Sequence, residues 1–161
     1  MTVVAFKDGV MAADSQLTAG TLTSLIEKIW RLPDGGVVAG SGTYAQVYAA
    51  AKYLAGGESG APPDSIDEVS LLIARPDGSL WAVDGRFPAY PLLSNFAAIG
   101  CGADAATQAM RSGATAFKAV ASVIGQDAGC SWPIQTMEVV SFDLPGVKFH
   151  AEPISAPRKR K

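Results

Sequence analysis

The chain has 161 residues, with 13 basic against 15 acidic side chains, a formal net charge of −2 and 48% hydrophobic residues. At roughly 150 residues per domain, this length predicts one domain with its own core. High hydrophobicity with a small net charge excludes an intrinsically disordered chain, and a broad nucleic-acid-binding face would need surplus cations. No run approaches about 18 consecutive apolar residues, and no leader pattern is present, so we expect a cytoplasmic protein without a membrane span.

Four pairs of short apolar segments, each joined by a tight turn, predict β-hairpins. The pairs cover residues 2–6 with 10–13, 28–32 with 37–40, 69–74 with 80–84, and 137–142 with 147–150. The intervening turns are rich in Gly, Pro and Asp, which favour sharp reversals of the chain. The segment 56–65 has the composition of a loop.

Two longer stretches predict helices. Residues 43–55 place Val47, Ala50 and Leu54 on one face, and Gly56 follows as a helix-ending signal. The second stretch runs from 103 to about 124, and Gly113 predicts a bend or a split within it. Antiparallel hairpins with helices inserted in blocks favour an α+β layered sandwich over a parallel βαβ fold.

The two cysteines, Cys101 and Cys130, are too few for a disulfide framework. With His150 as the single histidine, the sequence predicts two reduced cysteines and no metal site. His150 lies in an alternating segment, so we expect it to be a solvent-facing strand residue.

The last five residues, 157–161, carry the most concentrated charge of the chain. They supply four cations and no aromatic side chain on which a base could stack, which argues against nucleic-acid binding. We therefore predict a single domain over residues 1–156, followed by a basic tail that is solvated and mobile.

Thr2 directly follows the initiator methionine. It either begins a strand or becomes an N-terminal nucleophile once Met1 is removed. A hydroxyl nucleophile needs a base, and a free α-amine, with a pKa of about 7.7–8.0, would lie on the same residue. Lys28, held by Asp14, could keep this amine unprotonated if the strands that carry them are neighbours in one sheet. Taken singly, each charge is better explained as a solvated surface residue, and only the combination with Thr2 favours a site.

Five segments, in this order along the chain, resemble the threonine peptidases of the N-terminal-nucleophile hydrolase superfamily. These peptidases are the proteasome β-subunits and the bacterial HslV-type enzymes. The segments are TVVAFK at 2–7, GVMAADSQLTAG at 9–20, EKI at 27–29, AGSGTYA at 39–45 and AIGCGA at 98–103. The resemblance implies a four-layer αββα sandwich, in which two antiparallel sheets are flanked by helices.

The resemblance also implies a set of catalytic residues. Thr2 matches the nucleophile whose own amine is the base, and Lys28, paired with Asp14, lowers the pKa of that amine by like-charge repulsion. Gly42 matches the residue whose N–H stabilises the oxyanion, a role that the predicted helix N-terminus beside it would favour.

Three further positions match the family pattern, two of them with a cysteine where the family has a serine. Cys101 takes the place of a supporting serine near the amine, Asp127 matches a late aspartate, and Cys130 falls where a serine accompanies that aspartate. No organic cofactor is implied. In the HslV-like alignment, a monovalent cation such as Na⁺ would bind the backbone carbonyls of Gly125, Ala128 and Ser131.

The implied activity is hydrolysis of peptide bonds in peptide or protein substrates. The implied assembly is a homo-oligomeric ring, with an ATP-dependent unfoldase as a possible partner. The short turn at 7–9 and the two cysteines depart from the family pattern. Two alternatives therefore stay open: a catalytically inactive, ring-forming structural homologue, and an amidase of the same superfamily that acts on a small amide.

Overall fold

A computed structural model describes residues 2–140 and 148–151. In chain order, the strands of the first half are β1 (Val3–Lys7), β2 (Val10–Ala13), β3 (Gln16–Ala19), β4 (Leu22–Leu25), β5 (Ile29–Arg31) and β6 (Val37–Gly42). Helix α1 (Tyr44–Ala55) is followed by β7 (Val69–Ala74), β8 (Leu80–Asp84), β9 (Tyr90–Leu92) and β10 (Phe96–Gly100). The remaining elements are α2 (Ala103–Arg111), α3 (Ala116–Ile124), β11 (Ile134–Glu138) and β12 (Lys148–His150).

The described strands form two antiparallel sheets of five strands and one separate hairpin. The first sheet has the order β10-β1-β2-β11-β12, the second has the order β5-β6-β7-β8-β9, and β3 pairs only with β4. The mixed α+β class with antiparallel sheets is therefore confirmed.

Three separate sets of buried side chains hold these elements together. Alternate residues of a strand point to opposite faces of its sheet, so both faces can be buried. Val4 of β1 packs with Leu72 of β7 in a core that contains residues of both sheets. Val3, on the other face of β1, packs with α2 and α3 residues such as Val120. Leu71, on the other face of β7, packs with α1 residues such as Val47.

Several predicted elements are confirmed. The hairpin of β7 and β8 has the predicted bounds, and the first two hairpins and α1 lie within two residues of theirs. The long predicted helix is split into α2 and α3. Gly113, with φ of +97°, lies between them in a backbone conformation that favours glycine.

Other elements were predicted wrongly. The sequence analysis predicted no strand at β3, β4, β9 or β10. The hairpin of β3 and β4 is largely exposed, so it lacks the apolar alternation that signals a half-buried strand. β11 begins at Ile134 rather than at 137, because its pairing with β2 already includes Gln135. The predicted turn at 144–146 lies outside the described residues.

No helix in the described ranges combines the length and apolar character needed to cross a bilayer. The basic tail at 157–161 lies outside the described residues. The division into a domain over 1–156 and a tail therefore stays a prediction.

Candidate active site

Three side chains from separate segments of the first 28 residues meet beside the start of β1. Lys28 Nζ lies 2.9 Å from Thr2 Oγ1 and 2.9 Å from Asp14 Oδ1. The exposed fraction is 8% for Thr2, 2% for Lys28 and 0% for Asp14. In this geometry the ammonium group donates hydrogen bonds to a hydroxyl and to a carboxylate that are both withdrawn from solvent.

Backbone groups fix the carboxylate of Asp14. Its Oδ1 accepts a hydrogen bond from the Val3 N–H at 3.0 Å, and its Oδ2 accepts one from the Gln16 N–H at 3.0 Å. The Asp14 N–H in turn donates to the Val3 carbonyl at 3.2 Å. A buried carboxylate needs such partners as well as a counter-ion, because burial alone would strongly disfavour its charge. The position of Lys28 is therefore set by a rigid acceptor.

The two charged residues do not come from neighbouring strands of one sheet, so the condition that the sequence analysis set for their meeting does not hold. Asp14 follows β2 in the first sheet, whereas Lys28 precedes β5 in the second. The hairpin of β3 and β4 between them allows the chain to pass from one sheet to the other. The site is thus assembled across the two sheets and depends on how they pack.

Gln135 is a buried residue of the site that the sequence analysis missed. Its Oε1 accepts a hydrogen bond from the Lys28 N–H at 2.9 Å, and its Nε2 lies 2.7 Å from the Ile26 carbonyl and 2.8 Å from Ser15 Oγ. Its exposed fraction is 0%. The amide therefore ties the segment that carries Lys28 to the segment that follows Asp14. The sequence carried no clear signal for it, because Gln135 lies before the start of the strand predicted at 137 and in the polar-rich segment IQTME.

A pocket of about 520 Å³ opens beside these side chains. Thr2, Lys28 and Gly42 all contribute to its wall, together with the first turn of α1. Apolar side chains make up much of the remaining surface, namely Leu17, Ile26, Ala45 and Val47. The arrangement places a hydroxyl and an ammonium group at the edge of a cavity that could accept a side chain of a bound molecule.

Gly42 is required at its position for steric reasons. Its φ is +127°, and a Cβ added there would lie 1.8 Å from the Glu68 carbonyl oxygen. Gly100 resembles it, with φ of +96° and an added Cβ 1.9 Å from the Thr2 carbonyl oxygen. Each glycine therefore permits a close approach of two backbone segments, at the pocket wall and beside Thr2 respectively.

Cys101, Asp127 and Cys130 lie together on the other side of Thr2. The Cys101 N–H donates to the Thr2 carbonyl at 2.9 Å, and the Cys101 Sγ lies 3.3 Å from the same oxygen. The Cys101 thiol also donates to Asp127 Oδ2 at 3.0 Å, and its sulfur lies 3.9 Å from that of Cys130. Cys101 thus lies next to Thr2, and the three side chains form one cluster.

The surroundings shift the ionisation of this cluster. The pKa of both thiols is raised, mainly by burial. The hydrogen bond to the Asp127 side chain raises the pKa of Cys101 further. The negative charge of Asp14 raises the pKa of Cys130 further. The pKa of Asp127 is lowered, first by the hydrogen bond from Cys101 and then by the Gly129 N–H. The thiols are therefore neutral near pH 7, and the carboxylate is ionised.

The loop after α3 contains the carbonyls to which the sequence analysis assigned a cation. The Ser131 carbonyl accepts a hydrogen bond from the Ser15 N–H at 3.2 Å, and the Ala128 carbonyl accepts one from Gln16 Nε2 at 3.3 Å. A carbonyl oxygen has two lone pairs, so each of these two carbonyls keeps one acceptor site.

His150 is exposed, and its Nε2 lies 2.8 Å from Thr136 Oγ1. It is not part of the pocket.

Comparisons with known proteins gave matches only at the level of structure. No protein-family model matches the sequence, and no curated protein matches it. Among solved structures, BPH of Thiobacillus denitrificans in complex with epoxomicin superposes with a TM-score of 0.58 at 20% identity, over 86% of this chain and 98% of that one. Anbu from Hyphomicrobium sp. strain MC1 gives 0.68 at 16% identity, over 94% and 88%.

Both neighbours are proteasome-like relatives among the N-terminal-nucleophile hydrolases. At these sequence identities, the likeness shows that the chain has a proteasome-like fold. The superposition covers most of each neighbour's chain.

Proposed function

We propose that this chain is a proteasome-like threonine peptidase, close to the HslV type, that hydrolyses peptide bonds with Thr2 after Met1 has been removed. The observation that supports this most directly is the contact of Lys28 Nζ with both Thr2 Oγ1 and Asp14 Oδ1, each at 2.9 Å. A buried ammonium group that donates to a hydroxyl at the edge of a pocket is suited to stabilising an alkoxide as it forms.

In the first step the Thr2 hydroxyl oxygen attacks the carbonyl carbon of the substrate, and the α-amine of Thr2 accepts the hydroxyl proton. Lys28 makes this amine a weaker base, because a nearby positive charge disfavours a second one. The amine is then unprotonated at neutral pH, as a general base must be. Asp14 holds Lys28 in place and compensates its charge.

In the second step the tetrahedral intermediate collapses, and the protonated amine gives its proton to the leaving nitrogen. The resulting ester on Thr2 is cleaved by water, which restores the hydroxyl and releases the acid. The Gly42 N–H is the proposed donor to the oxyanion, since Gly42 lies in the pocket wall before α1. One such donor contributes about 2.7–4 kcal/mol to stabilising the transition state in other hydrolases.

The pocket is suited to a medium-sized apolar side chain of the substrate. Ala45 and Val47 of α1 and Ile26 before β5 contribute apolar surface beside Thr2. Cys101 and Asp127 are proposed to support Thr2 from the opposite side, through the hydrogen bond from Cys101 to the Thr2 carbonyl. A monovalent cation held by the carbonyls of Gly125, Ala128 and Ser131 would order the loop that carries Asp127.

The proposal extends to architecture and assembly. Packing of α1 on one sheet, of the two sheets on each other, and of α2 and α3 on the other sheet supports the four-layer αββα order. We further propose that the chain forms a homo-oligomeric ring in the cytoplasm, served by an ATP-dependent unfoldase. Large exposed apolar side chains are available for the subunit contacts of such a ring. These side chains are Leu22, Leu25, Tyr48, Tyr90 and Leu93.

The decisive experiment exposes Thr2 by design. The chain is produced with a removable N-terminal fusion whose cleavage leaves Thr2 first, and intact mass verifies this. Turnover of a panel of fluorogenic peptides is then measured for this protein, for Thr2→Ala, and for a control, Thr23→Ala, at an exposed position on β4 outside the pocket. We expect turnover in the parent and the control, and none in Thr2→Ala.

Two results would overturn the proposal. Equal turnover by the parent and Thr2→Ala would exclude Thr2 as the nucleophile. No turnover by a folded, assembled chain with Thr2 exposed would favour the catalytically inactive homologue.

Epoxomicin, which one structural neighbour binds, serves as a second probe. It should inhibit the parent in a time-dependent manner.

A further inference from the structure

The cluster of Cys101, Asp127 and Cys130 offers two sulfurs and one carboxylate oxygen at one point of the surface. These three ligand atoms all lie within 4.8 Å of one another. Cys101 follows β10, whereas Asp127 and Cys130 lie in the loop after α3. The fold therefore brings together two segments that share no metal-binding motif in the sequence.

The spacing suits a tetrahedral metal ion. Zn–S bonds of about 2.3 Å at the tetrahedral angle separate two sulfurs by about 3.8 Å. The two sulfurs here are 3.9 Å apart. A Zn–O bond of about 2.0–2.2 Å would place the carboxylate oxygen about 3.5 Å from each sulfur. The Asp127 Oδ2 is 3.0 Å from the Cys101 Sγ, so binding requires the carboxylate to rotate away from this sulfur by about 0.5 Å.

The cluster is both ordered and accessible. The second oxygen of Asp127 accepts a hydrogen bond from the Gly129 N–H at 2.8 Å, and the Cys130 N–H donates to the Asp127 carbonyl at 3.1 Å. These bonds fix the turn that carries two of the three ligands. Cys101 is exposed, Asp127 is half-buried and Cys130 is buried. An ion can therefore enter from the side of Cys101 and Asp127.

We propose that Cys101, Asp127 and Cys130 form a binding site for a thiophilic divalent cation, with Zn²⁺ as the physiological ion. On binding, each thiol releases its proton to solvent, and a water molecule fills the fourth position. Two sulfur ligands favour Zn²⁺ over Mg²⁺ and Ca²⁺, which require oxygen ligands. Three protein ligands and one open position give a complete tetrahedral site.

Metal binding would be transmitted to Thr2. The Cys101 N–H and sulfur both contact the Thr2 carbonyl, at 2.9 Å and 3.3 Å. When the sulfur becomes a metal ligand, it has no thiol proton left to offer to the Thr2 carbonyl. The hydrogen bond from the Cys101 N–H to this carbonyl remains. The site itself does not depend on the proposed peptidase activity, so the two proposals can fail independently.

The test uses Co²⁺ as a spectroscopic substitute for Zn²⁺. The protein is kept reduced with a phosphine, and thiol titration first verifies two free thiols per chain. Because the chain has only 2 cysteines, any thiolate-to-cobalt charge-transfer band must arise from Cys101 or Cys130. We expect this band to saturate at one Co²⁺ per chain, to disappear on addition of equimolar Zn²⁺, and not to be affected by excess Mg²⁺.

Variants then identify the ligands. Cys101→Ser and Cys130→Ser should weaken the band strongly, and Asp127→Asn should reduce Co²⁺ affinity by more than the 10–100-fold typical of residues outside the first coordination shell. Asp64→Asn, at an exposed position in the loop before β7, is the matched control and should bind like the parent. Circular dichroism verifies that each variant is folded.

Absence of the charge-transfer band in the reduced parent at saturating Co²⁺ would overturn the proposal. A band that persists unchanged in either cysteine variant, or an affinity that Asp127→Asn leaves unchanged, would also contradict the three-ligand site. If a cysteine variant fails to fold, Asp127→Asn still tests the site. Asp127 is only half-buried and asparagine has nearly the same shape, so this variant should fold.

Discussion

Lys28 Nζ lies 2.9 Å from Thr2 Oγ1, although Thr2 precedes a strand of one sheet and Lys28 precedes a strand of the other. The contact therefore depends on how the two sheets pack against each other. The stability of the sheet packing and the geometry of the candidate active site are thus linked through this one ammonium group.

Replacing Lys28 by Met should destabilise the protein by about 3–5 kcal/mol, because Asp14 would be left buried without its counter-ion. The double variant Lys28→Met with Asp14→Asn should recover part of this loss, since no uncompensated charge remains. Urea unfolding of the two single variants, the double variant and the parent measures the coupling. Losses that simply add would contradict a coupled buried pair.

Gln135→Met should lower both stability and activity. The change removes the acceptor for the buried Lys28 N–H and the donor to the Ile26 carbonyl, at a cost of about 1–3 kcal/mol for each buried group left unsatisfied. With Lys28 displaced, kcat should fall for any peptide that the parent cleaves. Gln108→Met, on an exposed part of α2, is the control and should resemble the parent. An active, stable Gln135→Met protein would show that Lys28 needs no such positioning.

Gly42→Ala should destabilise the fold much more than Gly20→Ala. Both glycines have a positive φ, which costs an alanine roughly 1–2 kcal/mol. At Gly20 an added Cβ meets nothing within 4 Å, whereas at Gly42 it would lie 1.8 Å from a backbone oxygen that cannot rotate away. Thermal unfolding of the two variants side by side checks this difference. Similar melting temperatures would show that the pocket wall around Gly42 can shift.

Ala45→Leu should change substrate preference without affecting folding. Ala45 lines the pocket from the exposed side of α1, so a larger side chain would occupy space proposed for the substrate. We expect kcat/KM for peptides with large apolar side chains to fall by about tenfold or more, and for small ones to change little. Ala49→Leu, exposed on the same helix outside the pocket, is the control. An equal effect on both substrate classes would argue against a side-chain pocket here.

The free energy of unfolding should decrease as pH rises above about 8.5, the pKa of an unperturbed thiol. Burial raises the pKa of Cys130 in the folded state, so the unfolded chain loses this proton first. A folded state that binds more protons than the unfolded state loses stability with increasing pH, at up to about 1.4 kcal/mol per pH unit for one proton.

The control for this pH dependence is Cys130→Ala. Denaturant unfolding of metal-free, reduced parent and variant between pH 8 and 10 gives the two slopes, and other titrating groups contribute equally to both. The slope of the variant should be shallower. Parallel slopes would mean that Cys130 does not keep its proton in the folded protein.

The sequence predicted those elements whose signals are local. The hairpin of β7 and β8 was correct at both ends, because its Pro-Asp-Gly-Ser turn separates two apolar segments that need no distant partner. Gly113 marked the division between α2 and α3 for the same reason. β10 was missed because it pairs with β1, whose position in the sequence is remote and which gives no signal near residue 96.

The candidate site divides in the same way. Thr2, Asp14 and Lys28 were identified by their resemblance to a family, and the sequence determined their chemical character: a hydroxyl next to the start of the chain, a carboxylate and an ammonium group. Their 2.9 Å contacts, the support of Gln135 and the distances within the cluster of two thiols with Asp127 were decided by tertiary structure alone. The physical reason is that side-chain periodicity specifies which residues are buried along one strand or helix. It does not specify which distant segment supplies the atoms that those residues meet.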